Sequence, residues 1–157
     1  MIIFALEDIR SVYNVGSIFR TGEGFGFKQF ALIGITPTPV DKYGNKRKDF
    51  IKTALGSEDI VLWEQFESID VLLKKYPDYE VISIEINKNS KDISDIKNFL
   101  DTSKNYMIVL GSEVGGVSKA ALDCSSAVYH IPMHGIKESF NVGVTAGIVM
   151  YLLREII

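Results

Sequence analysis

The chain has 157 residues, 46% hydrophobic and 24% charged, a length and balance that suit one globular domain able to bury a core without disulfides or metal. Its 17 basic and 20 acidic residues leave a net charge of −3, which excludes a uniformly basic nucleic-acid coat and confines any such contact to a local patch. The lone Cys124 has no Cys or His cluster around it, so neither a secreted disulfide scaffold nor a zinc site is expected, and it reads as a small buried side chain.

The first residues, Met1 to Glu7, carry no basic segment and meet an acidic side chain almost at once; no signal peptide is expected, and a cytoplasmic protein is the default. Within them Ile2–Leu6 reads as a buried strand. A polar loop containing Arg10 then leads to a helix over Gly16–Gly24, with Asn14 as its expected N-cap. Gly16 stands one turn before Arg20 and is expected to clear room for a guanidinium that holds a phosphate through two N–H groups; the alternative is a plain surface charge. The run Gly22-Glu23-Gly24-Phe25-Gly26-Phe27 starts like G-x-G-x-x-G but ends in Phe27 and follows a helix, which argues against a dinucleotide site.

Next come a strand over Gln29–Ile33, the turn-forming Thr36-Pro37-Thr38-Pro39, and a helix over Asn45–Leu55. Lys42, Lys46, Arg47, Lys48 and Lys52 cluster here, either as contacts for phosphates or as a solvated helix face. Further along, Glu67–Tyr76, Lys119–Ser125 and Asn141–Glu155 read as helices, and Tyr79–Ile86, Tyr106–Leu110 and Ala127–Ile131 as strands. Repeated strand–helix crossovers predict an α/β domain with a mainly parallel sheet of about five or six strands and helices on both faces. The apolar run Val142–Leu153 is interrupted by Gly143, Thr145 and Gly147 and is too short to cross a bilayer.

Two later stretches carry chemistry. Strand Tyr106–Leu110 delivers Gly111-Ser112-Glu113-Val114-Gly115-Gly116-Val117-Ser118 into a helix, and such glycines let backbone approach a ligand closely. The spacing approaches that of a P-loop, but Val117 stands where the phosphate-gripping lysine belongs and Glu113 repels a triphosphate. The loop therefore suits a ligand with positive or neutral groups. The other stretch, Ile131-Pro132-Met133-His134-Gly135-Ile136-Lys137-Glu138-Ser139-Phe140-Asn141-Val142, leads into the last helix, where Ser139 and Asn141 are natural capping residues. Gly143, Ala146 and Gly147 leave a helix face that another backbone or a second subunit can approach. His130 and His134 lie nearby in structural or surface roles.

Taken in order, Asn14-Val15-Gly16-Ser17-Ile18-Phe19-Arg20-Thr21, the Gly111–Ser118 loop and Ile131–Val142 resemble the three motifs of the SpoU/TrmH-type RNA ribose 2′-O-methyltransferases of the SPOUT superfamily. Those motifs read N-x-G-x-x-x-R-[ST], then a G-[SA]-E-x-x-G-[LVM]-S-like loop, then I-P-M-x-G-x-x-x-S-[LF]-N-V, and the likeness covers almost the whole chain. The resemblance implies a single SPOUT methyltransferase domain over residues 1–157 with no separate RNA-binding extension, a C-terminal trefoil knot, and a homodimer in which the first and last helices pack across the two-fold. It implies S-adenosylmethionine as cofactor and tRNA or rRNA as substrate, with no metal and no membrane.

Residue by residue, the resemblance implies a cofactor site lined by Gly111, Glu113, Gly115, Ile131, Met133, Ser139 and Phe140. Arg20 becomes the main catalytic residue, with Asn14, Glu113, Ser139 and Asn141 orienting it, the ribose and the phosphate; Arg10, Lys42, Lys46, Arg47 and Lys48 are candidate RNA contacts. Two rival readings share the fold: a non-catalytic RNA-binding module, and a SPOUT enzyme that methylates a base. The complete Asn14, Arg20, Glu113, Ser139 and Asn141 set speaks against the first, and the N-x-G-x-x-x-R motif resembles the ribose-directed branch.

Overall fold

A computed structural model of the protein describes residues 1–156. In chain order the strands and α-helices are β1 (Ile2–Glu7), α1 (Val12–Gly24), β2 (Gln29–Ile33), α2 (Lys48–Ala54), β3 (Leu62–Phe66), α3 (Ile69–Lys75), β4 (Tyr79–Ile84), β5 (Lys91–Asp92), α4 (Ile96–Phe99), β6 (Asn105–Leu110), α5 (Lys119–Asp123), β7 (Ala127–His130) and α6 (Val142–Leu153). The strands form one seven-stranded sheet in the order β3-β2-β1-β6-β4-β7-β5, and every pairing is parallel.

A parallel sheet covered on both faces needs strands that are apolar throughout, and all six residues of β1 are buried. Ile2, Phe4 and Leu6 point into one core with Val15, Ile18 and Phe19 of α1, Phe50 of α2 and Val149 of α6. Ile3 and Ala5 point the other way, against Ile69 and Leu72 of α3 and Ala121 of α5. The expected helices on both faces are therefore present. β6 sits between β1 and β4, so the chain reverses its direction of travel across the sheet there; crevices open beyond the carboxyl ends of strands at such a point.

The sheet has seven strands, and two of them, β3 and β5, are not among the five segments read as strands from the sequence. β3 is an edge strand with only Phe66 buried, so it lacks the apolar run that marks the central strands, and β5 is two residues long.

Several local expectations are corrected. Asn14 is not the N-cap of α1: the helix starts earlier, and Ser11 Oγ accepts the Asn14 N–H at 3.2 Å. Gly16 does not make room for Arg20. A Cβ there would meet Thr53 Oγ1 at 2.2 Å and the Phe50 carbonyl at 3.0 Å, so this glycine lets α2 pack against α1. α2 begins at Lys48 and not Asn45, because Asp41 Oδ1 accepts the N–H groups of Tyr43 and Asn45 at 2.8 and 2.9 Å and closes a turn instead. Cys124 is exposed and not buried. The small face of α6 is, as expected, approached by another helix: a Cβ on Gly147 would lie 3.7 Å from Thr21 Cγ2 of α1.

Candidate active site

β6 ends in the glycine-rich loop, which doubles back on itself: Ser112 and Gly116 exchange backbone hydrogen bonds, both at 3.0 Å. A Cβ on Gly111 would lie 2.1 Å from the Gly116 carbonyl carbon, so the first glycine is required by a backbone-to-backbone approach. Gly116 has φ +66°, the left-handed region that favours glycine.

Two carboxylates fasten the far end of this loop. Glu85, just past β4, accepts the Val117 N–H at 2.8 Å. Glu7, the buried last residue of β1, accepts the Ser118 N–H at 2.9 Å and its hydroxyl at 2.8 Å. Ser118 in turn caps α5 through the Ala121 N–H. Neither glutamate was singled out from sequence. The available signal was an acidic residue closing each of two apolar strands at the carboxyl edge of a parallel sheet, where ligands bind.

A cleft of about 920 Å³ opens beyond the carboxyl ends of β4, β6 and β7. Its wall includes Gly111, Glu113, Ile131, Met133, Ser139 and Phe140 of the expected cofactor set, and Asn141 of the expected catalytic set. Gly115 is absent from that wall; its N–H instead donates to Ser112 Oγ at 2.9 Å. Glu85, Glu113 and Glu138 line the cleft along with His130, and among the described residues no lysine or arginine does. His130 Nδ1 lies 3.0 Å from Ser90 Oγ, a structural contact, while His134 is exposed.

One hydrogen-bond chain joins the three sequence stretches at the cleft. Asn141 Nδ2 donates to Asn14 Oδ1 at 3.2 Å, and Asn14 Nδ2 donates to Glu113 Oε1 at 2.8 Å. Glu113 Oε2 accepts the Arg10 N–H at 3.3 Å. Partial burial pushes the Glu113 carboxyl up, but its own N–H, the Asn14 amide and the N–H groups of Arg10 and Ser11 together hold it below the ordinary glutamate value. Asn141 also caps α6 by accepting the Gly143 N–H at 2.8 Å.

Arg20 does not join this group. It is exposed on α1 and absent from the cleft wall, and helix geometry places it about 9 Å beyond Asn14 and roughly 120° round the axis. The basic cluster sits on the turn before α2 and on α2 itself. Lys46 pairs with Asp59 at 2.5 Å and Arg47 with Asp49 at 2.9 Å, whereas Lys42, Lys48 and Lys52 have no ion pair among the described residues. Lys42 Nζ lies 5.0 Å from the ring centre of the exposed Tyr43. Among the described residues no group of three or more His, Cys, Asp or Glu side chains is placed to hold a metal, and no helix is long and apolar enough to cross a membrane.

The sequence and the fold have parallels in known proteins. The chain is 28% identical over 153 residues to the tRNA (guanosine(18)-2′-O)-methyltransferase of Borreliella burgdorferi, covering 96% of this chain and 64% of that protein. It is 24% identical over 150 residues to the 23S rRNA (guanosine-2′-O-)-methyltransferase RlmB of Nitrosomonas europaea, covering 96% of this chain and 54% of that one. The chain thus spans less than two thirds of the length of either relative. The fold matches the AdoMet-bound rRNA methyltransferase from Sinorhizobium meliloti with a TM-score of 0.83 at 22% identity, over 98% of this chain and 56% of that one. It matches the A. aeolicus TrmH/SpoU tRNA modifying enzyme with a TM-score of 0.77 at 24% identity, over 98% and 73%. A family model described as the SpoU rRNA Methylase family takes in residues 1–151, the whole sheet and all three linked stretches, and the chain belongs to that family.

Proposed function

We propose that the protein transfers the methyl group of S-adenosylmethionine to a ribose 2′-hydroxyl of tRNA or rRNA, working in the cytoplasm as a homodimer. The observation that carries this reading is the Asn141–Asn14–Glu113 hydrogen-bond chain, in which Asn14 of the first stretch ties together Glu113 and Asn141, two polar residues of the cleft wall from the other two stretches. The cleft suits the cofactor: it is roomy, its walls expose loop backbone and the apolar side chains of Ile131, Met133 and Phe140, and its ionisable lining is mostly acidic, which favours a cationic ligand.

When bound, S-adenosylmethionine supplies an electrophilic methyl group on a sulfonium. The chain's part is to hold the ribose hydroxyl in line with that methyl, and such alignment is worth several kcal/mol. Gly111, Glu113, Ile131, Met133, Ser139 and Phe140 hold the cofactor in this reading, with Gly115 acting through the loop's shape. Asn14, Glu113, Ser139 and Asn141 orient the ribose and the phosphate. Arg20 fixes the hydroxyl and its phosphate and keeps its own proton, as arginine does; the hydroxyl proton leaves late, to phosphate or water.

The outward position of Arg20 supports a site shared between subunits, in which α1 of one protomer presents Arg20 to its partner's cleft. Exposed Tyr13, Val144 and Tyr151 supply an apolar face on α1 and α6 for that contact. The knotted C-terminal segment belongs to this proposal, as does the single methyltransferase domain over residues 1–157. Arg10, Lys42, Lys46, Arg47 and Lys48 are its RNA contacts, with Lys42 and Lys48 already unpaired among the described residues.

The test is incubation of the purified protein with radiolabelled S-adenosylmethionine and separated small and ribosomal RNA fractions, followed by nucleoside mass spectrometry. Label on ribose in one fraction is expected, with Arg20→Ala reducing turnover about a hundredfold or more while cofactor binding survives. Label on a base, or no label despite cofactor binding, would sink the reading.

A further inference from the structure

The three carboxylates of the cleft wall are held differently. Glu138 is exposed on the segment before α6. Glu113 is committed to the Asn14 amide and the Arg10 N–H. Glu85 is half-buried, and its contacts fix its charge against the wall: Oε2 accepts the Val117 N–H at 2.8 Å and Oε1 accepts the Ile86 N–H at 2.8 Å. Oε2 lies so close behind the glycine-rich loop that a Cβ on Gly116 would approach it to 2.2 Å. No lysine or arginine pairs with Glu85 among the described residues, and each of its oxygens keeps a second lone pair. A fixed negative charge without an ion-pair partner therefore stands in the wall of a cleft that, among the described residues, no lysine or arginine lines.

We infer that Glu85 is a specificity-determining residue, which makes the cleft prefer the sulfonium cofactor to its thioether product, S-adenosylhomocysteine. The inference rests on the cofactor reading proposed above. Cofactor and product differ by one methyl group and one positive charge, so shape alone separates them weakly. A carboxylate in a partly desolvated wall does so by charge, and the product loses that attraction once the methyl has left. Glu85 has in addition the structural task of tying the end of β4 to the loop, and the two tasks are separable. A glutamine at this position keeps an oxygen for the Val117 N–H, the contact that ties β4 to the loop; it carries no charge and gives up only the acceptor for the neighbouring Ile86 N–H.

The experiment is isothermal titration of the full chain with S-adenosylmethionine, with sinefungin, whose ammonium replaces the sulfonium, and with S-adenosylhomocysteine. The wild type and Glu85→Gln are compared at low and high salt. In the wild type both cationic ligands bind more tightly than the thioether, and the difference shrinks as salt rises. Glu85→Gln weakens both cations by roughly three- to tenfold and leaves the thioether unchanged. Equal weakening of all three ligands would mean that Glu85 is only a strut, and no change in any would deny it a role. A wild-type cation preference that ignores salt overturns the inference without any variant. Failure of the folded wild type to bind any of the three would instead overturn the cofactor reading itself.

Discussion

The loop from Gly111 to Ser118 is fastened by Glu7, by Glu85 and by its own Ser112–Gly116 bridge, whereas the segment from Pro132 to Phe140, on the same cleft, makes no hydrogen bond elsewhere among the described residues. Both are irregular backbone bearing a motif. Backbone N–H and C=O groups must find partners, and the first loop finds many of them inside the chain. The second leaves them to water, a ligand or a second subunit, and Gly135, Ile136, Ser139 and Phe140 within it are all exposed. One wall of the cleft is therefore built before any ligand arrives, and the other is free to be shaped by what binds.

The largest expected effect breaks the built wall. Gly111→Ala puts a Cβ 2.1 Å from the Gly116 carbonyl carbon, and backbone there cannot step aside without opening the Ser112–Gly116 bridge. A loss of about 3 kcal/mol in urea denaturation is expected, with cofactor binding abolished by titration. A variant of unchanged stability would show that the loop yields more easily than its contacts imply. Glu7→Ala ranks next. It strips the partner from the Ser118 N–H and hydroxyl at a buried position and should cost about 2 kcal/mol. Ser118→Ala, which removes the α5 cap but leaves Glu7 its N–H, should cost about 1 kcal/mol. The reverse ranking would place the weight on the cap and not on the carboxylate.

Hydrogen exchange sharpens the same contrast without any substitution. Adding S-adenosylmethionine should slow exchange across 132–140 by about tenfold or more, and change Val117 and Ser118 little, because their N–H groups are already bonded to Glu85 and Glu7. Equal protection of both stretches would show that neither wall precedes the other.

The same difference decides what was legible in the sequence. The central strands could be read because β1, β2, β4 and β6 are apolar runs buried from both sides, a pattern that needs no knowledge of partners. Edge strand β3 could not, since Leu62, Glu64 and Gln65 face solvent. The motif residues were legible through resemblance, and seven of them do meet on one cleft wall. Their supports were not. Glu7 and Glu85 act over 111 and 32 residues of sequence, and the capping of α1 by Ser11 rather than Asn14 releases the Asn14 side chain for Glu113. A local capping rule cannot see that Asn14 has a distant partner, so it assigns the asparagine the nearest task available.

Glu113 gives the smallest effect and tests the junction between the built loop and the start of α1. Partial burial raises its carboxyl, while its own N–H, the Asn14 amide and the Arg10 and Ser11 N–H groups lower it, and the net shift is downward. A carboxyl depressed on folding adds stability above its unfolded pKa, and that stability is lost as pH falls through the folded value. Acidification should therefore lower the Tm of the wild type more steeply than that of Glu113→Gln in the range below the ordinary glutamate value. The difference should be slight because Glu113 is largely exposed, and solvent screens its interactions. Parallel acid limbs would mean that the Asn14–Glu113 bond survives protonation, leaving Glu113 a positioning residue whose charge contributes nothing to the fold.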